Sequence, residues 1–260
     1  MPAGAILLAW YGSFQHEAVH GHLAQARRMN DLMVWMPLSL WLPFSIYRRS
    51  HRTHHNFEIL TDPHRDPESF YVSQQSFAEL PQFVKSTLLW HNTLPGRMLL
   101  GPFMVIGQFF YGEARSMISG DRRNLAIWLW HIAGVTLVLI WIVGICELPL
   151  WTYIATFVLP GTSLTLVRSF AEHKAAHTPY ERTAIVESGW FFSLLFLNNN
   201  LHFAHHRRPD LAWQALRSYY WAHRRQLLDE NHGLCYRGGY LEIARRFLVR
   251  PVDKPMHPFL

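Results

Sequence analysis

Two uncharged apolar stretches stand almost back to back near the middle of this chain. "LAIWLWHIAGVTLVLIWIVGI" (125–145) has no charged residue in 21 positions, and "PLWTYIATFVLPGTSLTLV" (149–167) has none in 19. A bilayer-spanning helix needs about 20 mostly apolar residues. One such run would also suit the buried core helix of a soluble protein. Two in tandem, rich in tryptophan and joined by "CELP" (146–149), point to a membrane hairpin with its turn, around Glu147, on the far side. Arg122, Arg123 and Arg168 mark the near ends. Basic residues beside spans favour the cytoplasmic face.

The remaining segments fit around that hairpin. Residues 3–15 predict a helix leading into a histidine-rich stretch; counted from the chain start it reaches roughly 22 Å, short of a hydrocarbon core of about 30 Å. Residues 31–47 are apolar but interrupted by Pro37 and Pro43, and proline inside a helix removes a hydrogen bond and kinks it. That segment is read as re-entrant or interfacial, as is the short run 188–199. Residues 98–112 contain Pro102 and are read as lying in the membrane plane or half-buried. Residues 211–231 predict an amphipathic surface helix, and "KPMHPFL" (254–260) a loose tail. The net charge is +6, with 21 arginines against 3 lysines. The arginines flank apolar runs and histidines rather than forming a separate basic patch, which argues against a nucleic-acid partner. Cys146 and Cys235 match no metal or disulfide framework. The first residues lack the basic start of a secretory signal.

Histidines are concentrated in four places. His16, His20 and His22 lie in "HEAVHGH", His51, His54 and His55 in "HRTHH", His173 and His177 in "EHKAAH", and His202, His205 and His206 in "HFAHH"; together these are 11 of the 17. The H-x-x-H-H spacing occurs twice, 151 residues apart. On a helix, residues three and four apart share a face, so each box can aim two or three imidazoles at one point. Neutral imidazole suits zinc, copper, iron and nickel. A zinc site takes about four ligands; eight histidines in three boxes exceed the needs of one ion and imply two. "HEAVH" also matches the H-E-x-x-H zinc-protease motif with Glu17 as base, but that leaves both H-x-x-H-H boxes unexplained. A haem protein would place isolated histidines within its spans, where His131 alone sits clearly, as a histidine bonded inside the bundle.

The order H-x-x-x-H, H-x-x-H-H, H-x-x-H-H, with a membrane hairpin between the second and third boxes, resembles the membrane fatty acid desaturase and hydroxylase superfamily over nearly the whole chain. The resemblance implies an all-α fold, an integral membrane helical bundle with a cytosolic cap of histidine boxes, formed by residues 1–260 as one domain. Relatives usually carry a further span before the first box, so either the true start lies upstream or the short first helix sits in the membrane without fully crossing it. The implied cofactor is a non-haem di-iron centre. The implied ligands are His16 and His20, then His51, His54 and His55, then His202, His205 and His206. A further histidine precedes the third box in the family; His173 is favoured over His177 for it. An asparagine of "NNN" (198–200) would stand near one iron. Glu17, Asp62, Asp66, Glu68, Glu172 and Asp210 lie beside the boxes, where a carboxylate can hold a ligating ring through its second nitrogen. His22, His64, His91, His223, His232 and His257 are read as ordinary or supporting residues.

By that resemblance the chain is expected to be an oxidoreductase attacking unactivated C–H bonds of a lipid-like substrate with dioxygen. Fatty acyl desaturation comes first, and hydroxylation or ketolation of alkyl, carotenoid or other lipids second. A non-catalytic metal-binding membrane protein, such as a transporter, would place its ligands near mid-membrane, whereas these boxes sit at span ends. With no G-x-G-x-x-G motif, no flavin or nicotinamide domain is expected. Electrons would come from a separate ferredoxin, rubredoxin or cytochrome, and the protein is expected in a bacterial inner membrane with its boxes on the cytoplasmic side.

Overall fold

The computed structural model describes residues 2–260 and is mostly helical, with 64% helix and 3% strand. The helices are α1 Pro2–His20, α2 Arg27–Met33, α3 Phe44–His54, α4 Gln74–Glu79, α5 Gln82–His91, α6 Leu94–Ile118, α7 Leu125–Leu139, α8 Leu150–Tyr153, α9 Leu159–Ser169, α10 Trp190–Leu195, α11 His202–Arg207, α12 Trp213–Glu230 and α13 Gly239–Phe247. Two short strands, β1 Ile185–Val186 and β2 Cys235–Tyr236, pair in parallel. The chain divides into two compact units, residues up to Arg49 with Met98–Thr165, and Ser50–Arg97 with Leu166–Leu260.

The first unit holds the hairpin. α7 continues through a π-helical turn at Ile140–Ile145, and α8 reaches α9 through another at Ile154–Val158. The two arms, Leu125–Ile145 and Leu150–Ser169, are long and apolar enough to cross a membrane. Leu148 N–H closes the turn between them on Ile142 O at 3.0 Å, with Glu147 left-handed at φ 52°. The proline-broken segment after α2 forms no span. Its carbonyls have lost helical donors, and buried carbonyls need replacements. Rings from three helices supply them: Tyr11 Oη donates to Met36 O at 2.8 Å, Tyr153 Oη to Leu38 O at 2.6 Å, and the His131 Nε2–H to Leu40 O at 3.0 Å. Gly134 allows the segment to lie close, since a Cβ there would come within 2.9 Å of Pro37 Cδ.

α6 departs from the sequence reading. It is one helix of 25 residues, longer than the 98–112 run read from the sequence. Pro102 has no N–H for the carbonyl four residues earlier. That carbonyl, Met98 O, instead accepts the Ser163 hydroxyl at 2.5 Å, so the helix continues past the proline.

The second unit packs Ile185, Leu201, Phe203, Ala204, Leu216, Tyr220 and Leu227 into a buried core. Leu216, Tyr220 and Leu227 face it from α12, whose other side is exposed, as an amphipathic helix requires. β1 is the crosspiece that positions the histidine segments. Ala184 N–H donates to Glu172 O at 2.8 Å, Val186 N–H to Asn200 O at 2.8 Å, and Phe203 N–H to Ala184 O at 3.1 Å. The C-terminal segment is docked rather than loose. Val72 N–H donates to Pro255 O and His257 N–H to Val72 O, both at 2.8 Å; Tyr71 Oη donates to Asp253 at 2.6 Å, and Phe259 lies on the His177 ring at 4.0 Å. Backbone pairing with an extended residue holds it, and amino-acid composition does not report such pairing.

Candidate metal centre

α3 ends with the second box and α11 is made almost entirely of the third. Helical spacing stacks His51 over His55 and His202 over His206, their Nε2 atoms 3.0 and 3.1 Å apart. In the second unit these boxes form two groups. In one, the ligand atoms of His54, His173, His202 and His206 all lie within 4.8 Å of one another. His54 Nε2 is 3.0 Å from His173 Nε2, which is 3.0 Å from His202 Nε2. In the other, His55 Nε2 stands 3.0 Å from His51 Nε2 and 3.1 Å from His205 Nε2. His16 and His20 lie on α1 in the first unit, their ring centroids 4.9 Å apart. His177, the alternative to His173, is exposed against Phe259.

The outer ring nitrogens of His51, His54, His173 and His202 face acceptors. His54 Nδ1 meets Asp66 Oδ1 at 2.9 Å, His51 Nδ1 meets Glu68 Oε1 at 2.9 Å, and His202 Nδ1 meets Asn199 Oδ1 at 3.0 Å with Glu172 Oε1 at 3.4 Å. His173 Nδ1 lies 3.3 Å from both Arg182 O and Thr183 Oγ1. Of the acids beside the boxes, Asp66, Glu68 and Glu172 thus back rings of the two groups. Glu17 binds His22 Nδ1 at 2.9 Å, Asp62 caps its own turn through His64 N–H and Arg65 N–H, and Asp210 pairs with Arg208 at 2.7 Å. Among the asparagines, Asn198 and Asn200 donate to Trp213 O and Val186 O, while Asn199 holds the His202 ring. Asn199 is one of the three asparagines expected near an iron, whereas Thr183 and the Arg182 carbonyl carry no sequence signal. The one available signal is the spacing of Asn199, three residues before His202 across the turn into α11.

This donor set fits metal cations. A neutral imidazole carries one N–H. Where Nδ1 spends it on an outer acceptor, Nε2 presents a lone pair inward, and here lone pairs meet at about 3 Å. A cation between them removes the repulsion and takes up the inward lone pairs. Imidazole donors suit late first-row metals, iron among them, rather than magnesium or calcium. The protonation states of three rings agree. Burial pushes the His173 imidazole down to about 3, helped by neighbouring His54. His202 and His206 are held well below their usual range, first by burial and then by neighbouring histidines. At His54 burial acts downward too, but the carboxylates of Glu68, Asp66 and Glu172 outweigh it and raise the ring. Glu172 itself is pushed up to about 7 by burial.

The family model described as Fatty acid desaturase matches residues 1–238. The chain belongs to the fatty acid desaturase family. No curated protein and no solved structure matches it. The chain is therefore an oxidoreductase of the fatty acid desaturase and hydroxylase type, with histidine clusters compatible with metal binding. Family members are typically membrane-associated.

The depressed histidines set a pH dependence. In the unfolded chain these rings bind protons near pH 6.5, whereas folded His173 does so only near 3. Between those values the unfolded state holds more protons, so stability rises with pH and is lost as pH falls. Metal-free protein is expected to lose stability as pH falls below about 6.5, because the three depressed rings His173, His202 and His206 outnumber His54 and Glu172, whose raised values act the other way. Melts of chelator-treated protein between pH 7.5 and 5 test this; an unchanged midpoint would contradict it.

Proposed function

We propose that the chain is an integral membrane oxidoreductase that breaks an unactivated C–H bond of a lipid-like substrate with dioxygen, fatty acyl desaturation being the leading reaction. The observation that carries this is the pair of converging imidazole groups, backed by carboxylates, in a chain of the desaturase family. His54, His173, His202 and His206 would hold one iron. His51, His55 and His205 would hold the second; His16 and His20, which one helical turn of α1 presents on the same face, are ligands that the family order of boxes implies. Two irons bound there would supply the activation of dioxygen and the two-electron oxidation.

The protein residues fix and shield that centre. Asp66 and Glu68 set ring orientation and offset part of the added charge. Burial of His51, His54, His202, His205 and His206 keeps water away, which protects reactive species from side reactions. Membrane residence is supported by exposed apolar surface on the hairpin: Leu129, Trp130, Trp141 and Ile145 are each 59–69% exposed, where a soluble core helix would bury them. The reading of residues 1–260 as one desaturase domain is supported by a family match that runs across both units. Electrons come from an external carrier of the ferredoxin, rubredoxin or cytochrome type, since the sequence has no dinucleotide fingerprint. The basic residues beside the hairpin favour a cytoplasmic position for the boxes in a bacterial inner membrane.

The test supplies reduced carrier, dioxygen and acyl lipids, and weighs the products. Loss of two mass units is the expected result; a gain of sixteen would make the enzyme a hydroxylase instead. Turnover without dioxygen would overturn the dioxygen-dependent reading.

A further inference from the structure

Outside the histidine clusters, the second unit buries a cation that has no counter-charge. Arg97 is 3% exposed. Phe70 lies over its guanidinium at 3.8 Å and Phe170 at 5.6 Å. Those rings occupy its faces, so its edges are left for hydrogen bonds. One nitrogen, Nη2, donates to Asn92 Oδ1 at 3.3 Å, while Nε and Nη1 have no acceptor among the described residues. No carboxylate pairs with it among the described residues; Asp253, whose backbone carbonyl accepts from Asn92, takes its carboxylate hydrogen bond from Tyr71. His91 flanks the same Phe70 ring at 5.8 Å, is 2% exposed, and its Nε2 also lacks a partner.

The ring faces and Asn92 Oδ1 favour the cation but carry no net negative charge. Arg97 sits in the first turn of α6, a 25-residue helix whose amino end carries positive partial charge. The last carbonyls of α5, which would supply negative charge, are engaged: Leu88 O by Asn92 N–H, and Trp90 O by both Thr93 N–H and Thr93 Oγ. Burial lowers the Arg97 guanidinium to about 9 without neutralising it near pH 7. An isolated buried charge is costly unless it is paired and hydrogen-bonded. The cluster is therefore complementary to an anion that accepts from Arg97 Nε or Nη1 and from His91 Nε2.

We propose that Arg97 and His91, with Asn92 holding the guanidinium through Oδ1, form a binding site for the carboxylate of a long-chain acid, so that the substrate is recognised as a free acid rather than an ester or hydrocarbon. This rests on the acyl-oxidising reading above. A carboxylate on an apolar chain has the right chemistry: one negative charge for the guanidinium, and a chain that gains by leaving water. Aromatic walls and closure from solvent disfavour a doubly charged, strongly hydrated phosphate. Phe170, against the guanidinium, is three residues from His173, so the anion site and the metal cluster are tied by one short segment.

The experiment measures binding of palmitate, methyl palmitate and chloride to the purified full chain in a nonionic detergent, for wild type and Arg97→Gln. Palmitate is expected to bind at least tenfold more tightly than its methyl ester in wild type, and Arg97→Gln is expected to reduce that ratio to near one while leaving ester affinity and iron content unchanged. The acid-to-ester ratio of the wild type decides the matter without a variant if Arg97→Gln fails to fold. Equal affinity for acid and ester, with the ester still oxidised, overturns the carboxylate site and leaves the acyl reading standing. Chloride displacing palmitate at millimolar concentration, with no effect on the ester, supports competition for one anion site. Chloride stabilising the protein through Arg97 while palmitate does not makes the site one for a small free anion and overturns the proposal. Failure of both acyl ligands to bind overturns it together with the acyl reading.

Discussion

Replacement of His173 by alanine is expected to remove bound iron and lower turnover by on the order of a thousandfold or more, about 4 kcal/mol of barrier, while His177→Ala leaves both within about twofold. The two residues are four apart, and either could be drawn as a ligand from the sequence. They differ in what surrounds them. His173 is clamped by its antiparallel bridge to Thr183, and its Nε2 lies 3.0 Å from those of both His54 and His202. Removing it takes away the middle member of that chain of ring nitrogens and leaves three imidazoles around a void. His177 is exposed, with its ring against Phe259 in the docked C-terminal segment. Its loss disturbs a surface contact, and such substitutions usually stay within about 0.5 kcal/mol. Iron per chain by elemental analysis and substrate-dependent oxygen uptake would decide. Equal losses in the two variants would remove His173 from the metal centre.

The sequence was most informative where a periodic rule applies. Apolar runs of about 20 residues make helices because the backbone must satisfy itself, and 125–145 and 149–167 fold accordingly around the Glu147 turn. H-x-x-H-H is legible because helical geometry alone puts the first ring beside the next two. Local rules failed where partners come from elsewhere in the chain. Pro102 suggested a short segment; its consequence was absorbed by the Ser163 hydroxyl, 61 residues on in sequence. Residues 254–260 looked free because nothing in them signals pairing with Val72. Six acids stood beside the boxes with equal claims, and loop geometry alone separated Asp66, which reaches His54, from Asp62, which turns back on its own backbone. Arg97 and His91 carried no sequence signal, since neither belongs to a motif and their significance lies in missing partners.

Asp66→Asn is expected to weaken iron binding by roughly ten- to a hundredfold, as loss of a carboxylate behind a ligating histidine typically does, and by more than Glu68→Gln. Asp66 is 5% exposed and accepts three hydrogen bonds: Oδ1 takes His54 Nδ1–H at 2.9 Å and Glu68 N–H at 3.0 Å, and Oδ2 takes Thr61 N–H at 2.9 Å. Both oxygens are committed to donors. An asparagine amide must turn its own N–H₂ toward one of them, so a donor faces a donor inside the protein. If the amide nitrogen takes the Oδ1 place, His54 loses the acceptor that fixes its tautomer and aims Nε2 inward. If it takes the Oδ2 place, the Thr61 turn at φ 70° loses its tie and the loop carrying Asp66 shifts. Either outcome reaches the His54 ring. Glu68 makes one close ring contact, to His51 Nδ1 at 2.9 Å, and its side chain is 29% exposed, so water can replace part of what the carboxylate supplied. Iron affinity from competition with a calibrated chelator, measured on both variants at one pH, gives the comparison. A larger loss in Glu68→Gln than in Asp66→Asn would show that charge near the cluster matters more than the orientation of the His54 ring.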